Sequence, residues 1–336
     1  MEFLPEICFF FLAANLAAFL IAAAGCAGAG INYAFVRNED ARRRAFEAAR
    51  KNAPLTAALF VSNLAALYAA FPTAGEILLS KTVLSFPLFA GFAAMLAAQV
   101  LSPRKRQQQP QAFGENLRAK ALPIASSLFA AALGFALGAA LGGQVGGRFP
   151  SPKLEILKSI TPLSLVCAVF VPCFFAAQHA LAGTVSAEGE ARAEFAKIAQ
   201  RMLVCLIFLF FAVMYATFHM LVADPFRAVL DSYAISAAIA GCFAAARFAV
   251  WKAQRGKFGA AIFANSLFAL CAALLLAACA FPFVIPPAEN CGFEGLSIKT
   301  AAAGQTRLLF ALAISAAGVA CAAAAVRNSA KQDASK

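Results

Sequence analysis

Two histidines are the side chains of this chain whose chemistry points most directly to a cofactor. His179 lies toward the C-terminal end of one long apolar segment, and His219 lies toward the C-terminal end of the next. A histidine inside a membrane protein can be an axial ligand of haem iron. Consecutive segments run in opposite directions, so the two histidines are about a membrane thickness apart and cannot share one haem. A polar residue at the membrane interface is the alternative for each histidine, and we favour it.

Other patterns that carry chemistry are missing from the sequence. Nine of the ten cysteines lie in or beside apolar segments, only Cys291 lies in an outer loop, and no Cys-x-x-Cys or Cys/His spacing indicates a metal site or a disulfide framework. No P-loop, dinucleotide fingerprint, nucleophile triad or transporter-type broken-helix pair is present. We therefore predict no catalytic residue and no metal site. Four charged residues lie near segment ends, where snorkelling explains them: Lys81, Asp231, Arg247 and Arg307.

Nine apolar segments, each about long enough to cross a bilayer as a helix, dominate the chain of 336 residues. Lipid offers no partners to backbone N–H and C=O groups, so these segments are expected to be α-helical. The sequence therefore predicts an all-α, polytopic membrane protein that forms one integral membrane domain over residues 1–336. The nine segments are Ile7–Phe35, Pro54–Phe71, Ile77–Leu101, Ala121–Leu141, Ile160–Gly183, Met202–Ala223, Val229–Val250, Phe258–Val284 and Leu308–Val326.

Positive charge sets the orientation of these segments. The odd-numbered loops and the C-terminal tail hold 21 of the 28 Lys and Arg residues, which predicts that they are cytoplasmic and that the N-terminus is outside. This bias, together with attraction to anionic lipid, accounts for the net charge of +12 better than nucleic-acid binding does. The first segment lacks a basic region before it and is expected to be retained. The most polar connectors, Arg37–Asn52 and Ser102–Lys120, are expected to be solvated loops.

Four glycines recur at four-residue spacing along the fourth segment. Small residues on one helix face allow a second helix to approach closely. The stripe predicts either a tight seam, within the chain or between subunits, or ordinary packing in an alanine-rich bundle, and the sequence leaves both open. The glycines are Gly134, Gly138, Gly142 and Gly146.

Several short motifs occur in order along nearly the whole chain. The first inner loop contains Arg-Asn-Glu-Asp-Ala-Arg-Arg-Arg, the second segment ends in Ala-Leu-Tyr-Ala-Ala-Phe-Pro, and the fifth opens with Thr-Pro-Leu-Ser-Leu and is followed by Ala-Glu-Gly-Glu. The eighth ends in Phe-Pro-Phe-Val-Ile-Pro-Pro, and Leu-Ser-Ile-Lys-Thr-Ala-Ala-Ala-Gly-Gln-Thr-Arg-Leu follows. This ordered set resembles subunit II of the cytochrome bd-type ubiquinol oxidases. The positions that carry the resemblance are Gly28, Gly30, Phe71, Pro72, Ser80, Thr161, Pro162, Glu188, Glu190, Phe281, Pro282, Pro286 and Leu296.

The chain departs from the family's pattern where the family carries acids. In the first segment, Ala23 and Cys26 stand where the family motif has aspartates, and Pro54–Phe60 replaces a cluster that contains Asp and Glu. In the last outer loop, Lys299 and Thr300 stand where Trp and Asp are frequent. Alanine cannot relay a proton, so we expect that any proton route through these positions is lost.

The resemblance implies a subunit of a quinol:oxygen oxidoreductase, a terminal oxidase in the respiratory electron-transport chain of a bacterial cytoplasmic (inner) membrane. It implies that haem b and haem d belong to a partner, subunit I, and that this chain is a companion without haem ligands or catalytic residues. A bound quinone and a small single-helix accessory subunit are left open. The alternative is a stand-alone scaffold or transporter that kept the fold and lost the oxidase role.

Overall fold

The computed structural model describes residues 3–70, 72, 82–102, 117–141, 160–220, 233–257, 259–264, 267–268 and 303–334. Within these ranges the chain is helical and contains no strand, which confirms the all-α prediction. The helices are α1 (Leu4–Ala23), α2 (Ala29–Phe35), α3 (Glu39–Ala70), α4 (Thr82–Leu101), α5 (Leu117–Leu141), α6 (Pro162–Ser186), α7 (Gly189–Met220), α8 (Tyr233–Gln254) and α9 (Gln305–Ala334). A π-helical turn, Ala24–Gly28, joins α1 to α2.

Six helical stretches in the described part of the chain are long and apolar enough to cross a membrane. The α4 helix contains a shorter apolar stretch, Ser85–Leu101. Most of the predicted eighth segment lies outside the described residues, so the number of nine crossings and their orientation stay predictions. The six stretches are Ile7–Phe35, Glu39–Ala70, Lys120–Ala139, Pro162–Ser186, Gly189–Ala216 and Gln305–Ala325.

The first inner connector is largely a helix, so the prediction of a solvated loop before Pro54 is wrong from Glu39 onward. Alanine, arginine and glutamate have high helix propensity, which the polarity of the connector concealed. The Asn38 side chain caps this helix by accepting the backbone N–H groups of the second and third residues after it, at 2.9 and 3.1 Å. Two ion pairs, each between residues one helical turn apart, support the first turns of this helix. They join Arg44 to Asp40 at 2.8 Å and Arg43 to Glu47 at 3.2 Å.

Phenylalanine rings from four helices meet in the interior of the bundle. Phe60 on α3 lies at their centre, and dispersion contacts of this kind hold helices together where lipid supplies no hydrophobic driving force between them. Around this group, α6 packs against α5 and α7, while α1, α3 and α9 pack together. The distances between ring centroids from Phe60 are 4.8 Å to Phe92, 5.3 Å to Phe129, 5.9 Å to Phe19 and 6.4 Å to Phe89.

The glycine stripe on α5 forms a seam within the chain. Gly134 lies against the main-chain carbonyl of Cys167, and Gly138 lies against that of Leu163, so a Cβ atom at either glycine would collide with the α6 backbone. These two glycines therefore permit the close approach of α5 and α6. Gly142 and Gly146 lie outside the described residues.

Candidate functional site

The π turn lies where the family's acidic motif would be. π turns inside α-helices occur often at functional sites. Ala23, just before the turn, and Cys26, within it, are completely buried. The Cys26 thiol lies 3.9 Å from the sulfur of Met95 and also forms a hydrogen bond with the Thr56 side chain. Among the described residues, the surroundings of the turn are thus uncharged, with the polar side chains of Thr56 beside Cys26 and Asn52 beside Gly25.

Gly28 and Gly30 allow the first helix to lie directly on its neighbours. A Cβ atom at Gly28 would collide with the main-chain carbonyl of Phe175 on α6. A Cβ atom at Gly30 would collide with the Ser126 hydroxyl and with the carbonyl of Pro123 on α5. Both family-motif glycines therefore serve the packing of this helix, whether or not acids accompany them.

His179 forms a buried hydrogen bond with Asn32, which lies about one helical turn after the π turn. The Asn32 amide nitrogen lies 2.9 Å from His179 Nδ1 and donates to the Ala176 carbonyl, also at 2.9 Å. That carbonyl fixes the orientation of the amide, because the amide oxygen in the same place would face another oxygen. Nδ1 is therefore the acceptor, and the imidazole proton is on Nε2.

This arrangement does not suit an axial ligand of haem iron. A ligating histidine gives its Nε2 lone pair to the metal and donates a proton from Nδ1 to a carbonyl or carboxylate. At His179, an Nδ1–H group would point at the Asn32 amide hydrogens. The His179 and Phe195 rings also pack in a T-shaped arrangement, with 5.7 Å between ring centroids. The geometry instead supports a hydrogen bond that ties α2 to α6.

The other candidate ligand, His219, lies in α7, but its side chain is outside the described residues, so a haem-ligand role there stays a prediction. Among the side chains that the structure does describe, no three His, Cys, Asp or Glu residues come together as a metal site.

Two family-like stretches that are far apart in sequence meet at one end of the bundle. The backbone N–H of Ala303, just before α9, donates to the Ala70 carbonyl at 2.9 Å. The Arg307 guanidinium donates to the Tyr68 carbonyl at 3.3 Å and lies over the Tyr68 ring, 5.6 Å from its centroid. Pro72 is half-buried beside this contact. Six other motif positions lie outside the described residues: Phe71, Ser80, Phe281, Pro282, Pro286 and Leu296.

The Thr-Pro-x-Ser motif is a helix start. The Thr161 hydroxyl accepts the backbone N–H of Ser164 at 3.1 Å, and the Ser164 hydroxyl accepts that of Thr161 at 2.9 Å. This reciprocal pair satisfies donors that would otherwise be left unpaired at the first turn of α6. Pro162 occupies the first helical position, where its missing N–H costs nothing.

The acidic motif after α6 anchors the turn that precedes α3. The Glu190 carboxylate accepts from the Asn38 side-chain amide at 3.4 Å. The stronger contact comes from Glu194, whose carboxylate accepts the backbone N–H groups of Arg37 at 2.6 Å and of Asn38 at 3.0 Å. Glu188 is exposed. Sequence reasoning missed Glu194, and its position one turn after Glu190 on the same helix face was the available signal.

Comparison with known proteins gives the family. No curated protein matches this sequence. A solved structure described as "The structure of bd oxidase from Geobacillus thermodenitrificans" matches with a TM-score of 0.67 and 16% sequence identity over 98% of each chain, a likeness that shows the fold. The family model for the cytochrome bd terminal oxidase subunit II matches residues 4–326. This match does not favour the scaffold or transporter alternative. The chain therefore belongs to the cytochrome bd terminal oxidase subunit II family.

Proposed function

We propose that this chain is the haem-free companion subunit of a quinol:oxygen oxidoreductase and that it stabilises the haem-bearing subunit I. The complex would oxidise a quinol toward the outer side of the membrane and reduce oxygen to water with protons drawn from the cytoplasm. Haem b and haem d, bound by the partner, would supply the electron transfer and the oxygen chemistry. This chain would contribute no catalytic residue.

The observation that carries the haem-free role is the hydrogen bond between Asn32 and His179. It leaves His179 with its proton on Nε2 and engages Nδ1, so the buried histidine of the described region has no lone pair directed at a metal. His179 belongs to the interior of the chain, where it holds α2 against α6.

The bundle interior suits a subunit that keeps water away from its partner. The residues at the family's acidic positions, Ala23 and Cys26, are fully buried and carry no charge. The phenylalanine cluster around Phe60 fills the space between α1, α3, α4 and α5. A dry interior of this kind raises the cost of charge or water near the subunit boundary.

We further propose nine membrane crossings with the N-terminus outside and the C-terminus in the cytoplasm of a bacterial cell. The alternation of positive charge supports this orientation, because 21 of the 28 Lys and Arg residues fall in loops of one side and the C-terminal tail. The six apolar helical stretches of the described region are consistent with it.

The experiment that tests the function is purification of the assembled complex from its native membrane through a tag on the C-terminus of this chain. The expected result is a co-purifying large subunit with b- and d-type bands in the reduced-minus-oxidised visible spectrum, together with quinol-dependent oxygen consumption. A preparation of this chain that is folded but contains neither a partner nor haem would overturn the proposal.

A further inference from the structure

The C-terminal end of α8 and the residue after it carry a cluster of two exposed rings, a half-buried lysine and an exposed arginine, here called the Trp251 cluster: Phe248, Trp251, Lys252 and Arg255. The Lys252 ammonium lies 4.6 Å from the Trp251 ring centroid and 4.9 Å from that of Phe248. The Arg255 guanidinium also lies over the Trp251 ring, 4.1 Å from its centroid. Both rings remain substantially exposed, Phe248 at 43% and Trp251 at 39%.

Within the described residues, the positive charge of this region has no acidic partner. Two more exposed cations, Arg247 and Lys257, flank the cluster. The sequence contains no Asp or Glu between residues 233 and 268. Within the described part of the chain, no carboxylate forms a salt bridge with any of these four cations; the salt bridges found there lie on α3. The cluster therefore presents net positive charge beside exposed aromatic surface.

The position of the cluster indicates what would neutralise it. The apolar segment predicted to cross the membrane ends at Val250, so Trp251 follows directly at the boundary between hydrocarbon and headgroups. Favourable interaction of cations with a helix C-terminus would account for Lys252 and Arg255, but not for two exposed rings beside them. Rings in contact with lipid chains, with cations above them at headgroup level, match an anionic phospholipid better than an acidic protein segment.

We propose that the Trp251 cluster binds the phosphate headgroup of an anionic phospholipid. The Arg255 guanidinium, a planar fork of donors, is suited to two phosphate oxygens, and Lys252 supplies a second point charge. Phe248 and Trp251 hold both cations in place through cation–π contact and cover the first carbons of the acyl chains. The site rests on the proposed membrane crossing of α8 and is independent of the oxidase reaction.

The test uses Trp251, the single tryptophan of this chain, as its own probe. The purified complex is reconstituted in phosphatidylcholine bilayers that contain either brominated phosphatidylglycerol or brominated phosphatidylcholine at equal mole fraction. Subtracting the fluorescence of the Trp251→Phe complex isolates the signal of Trp251 from tryptophans of the partner. We expect phosphatidylglycerol to quench that signal several-fold more effectively, and the excess to fall by about fivefold for each cation removed.

Two matched double variants decide the result. Lys252→Gln with Arg255→Gln should abolish the preference for phosphatidylglycerol, whereas Lys197→Gln with Arg201→Gln should keep it. The second pair removes the same charge from exposed positions one turn apart on α7, on the same predicted side of the membrane. Equal quenching by the two lipids would overturn the proposal. Absence of quenching by either lipid would also overturn it, because it would show that a protein segment covers Trp251. The visible spectrum of each sample reports complex assembly separately.

Discussion

At the scale of single residues, the positions that first suggest chemistry are buried inside the bundle and carry no paired charge. Ala23 and Cys26 are buried without a charged neighbour, and His179 is engaged by Asn32. A buried polar group is stable when it is hydrogen-bonded, and a buried charge is costly unless it is paired. His179 is a buried polar group with a hydrogen-bond partner. An aspartate at Ala23 or Cys26 would be a buried charge without a partner.

Replacing His179 with Gln should leave the haem content of the purified complex unchanged. Glutamine cannot serve as an axial ligand of haem iron, but it can accept a hydrogen bond from Asn32. The measurement is the ratio of haem to protein together with the reduced-minus-oxidised spectrum, and the wild-type complex purified in parallel is the reference. Loss of one haem band from an otherwise assembled complex would show that His179 is a ligand after all.

Introducing aspartate at both Ala23 and Cys26 should raise the rate of proton uptake by adding a route through this chain, if the missing acids are what closed that route. The measurement is proton uptake from the cytoplasmic side of reconstituted complexes, normalised to haem so that poorer assembly does not distort it. The double serine variant is the control, because it adds polarity without an ionisable group. Unchanged uptake in the aspartate variant would remove support for a route lost at these positions.

At the scale of elements, the helices are held by backbone contacts between segments distant in the sequence. Gly28 lies on the backbone of α6, Ala303 donates to Ala70, and Glu194 accepts from the turn before α3. Of these contacts, the one between Ala303 and Ala70 joins two stretches that the family resemblance had identified separately. The family-like motifs within the described residues therefore mark the points where helices meet or begin.

Gly28→Ala should reduce the amount of folded complex, because the added methyl group would collide with the main chain at Phe175, which cannot rotate away. Overpacking of this kind costs roughly 1–3 kcal/mol. Gly241→Ala is the matched control: nothing lies within 4 Å of its Cβ position, so the same change on α8 should be neutral or slightly stabilising. Thermal unfolding of the two complexes gives the comparison, and equal midpoints would contradict the predicted close contact.

Glu194→Gln should loosen the turn between α2 and α3. The variant side chain can accept only one of the two backbone N–H bonds with its oxygen, and hydrogen bonds to a charged group contribute about 1.5–3 kcal/mol. We expect a lower unfolding temperature and faster protease cleavage at residues 36–38. The exposed Glu188, changed to Gln in the same way, should have no such effect. Identical behaviour of the two variants would show that the Glu194 contact contributes nothing measurable.

At the scale of the whole molecule, length and charge pattern were sufficient to predict a helical membrane protein. Segments of about 20 apolar residues have no alternative to helix in lipid, so the fold class followed from composition alone. The contacts between helices did not follow from it. Asn32 and His179 are 147 residues apart, and Arg37 and Glu194 are 157 apart, so no local pattern could pair them. The helical connector before Pro54 was missed because its polarity resembles that of a loop.

The predicted orientation can be tested with reporter fusions. Alkaline phosphatase, which is active only outside the cytoplasm, should be active when fused within the outer loop 142–159 and inactive when fused after Gly256 or at the C-terminus. Green fluorescent protein at the same three places should give the complementary pattern. Activity after Gly256 would reverse the orientation of α8 and would contradict the nine-helix arrangement.

The π turn has a consequence for which changes the first helix can accept. A π turn holds one residue more than an α-helical turn over the same length. Deleting one residue from Ala24–Gly28 would let the helix become regular while the residues on either side of the turn keep nearly the same rotation. A deletion elsewhere between Leu4 and Phe35 has no such turn to absorb it, and it would rotate everything after it by about 100° relative to everything before. A deletion between the turn and Asn32 would thus move Asn32 away from His179, so this helix should accept a shortened turn more readily than a change of length anywhere else.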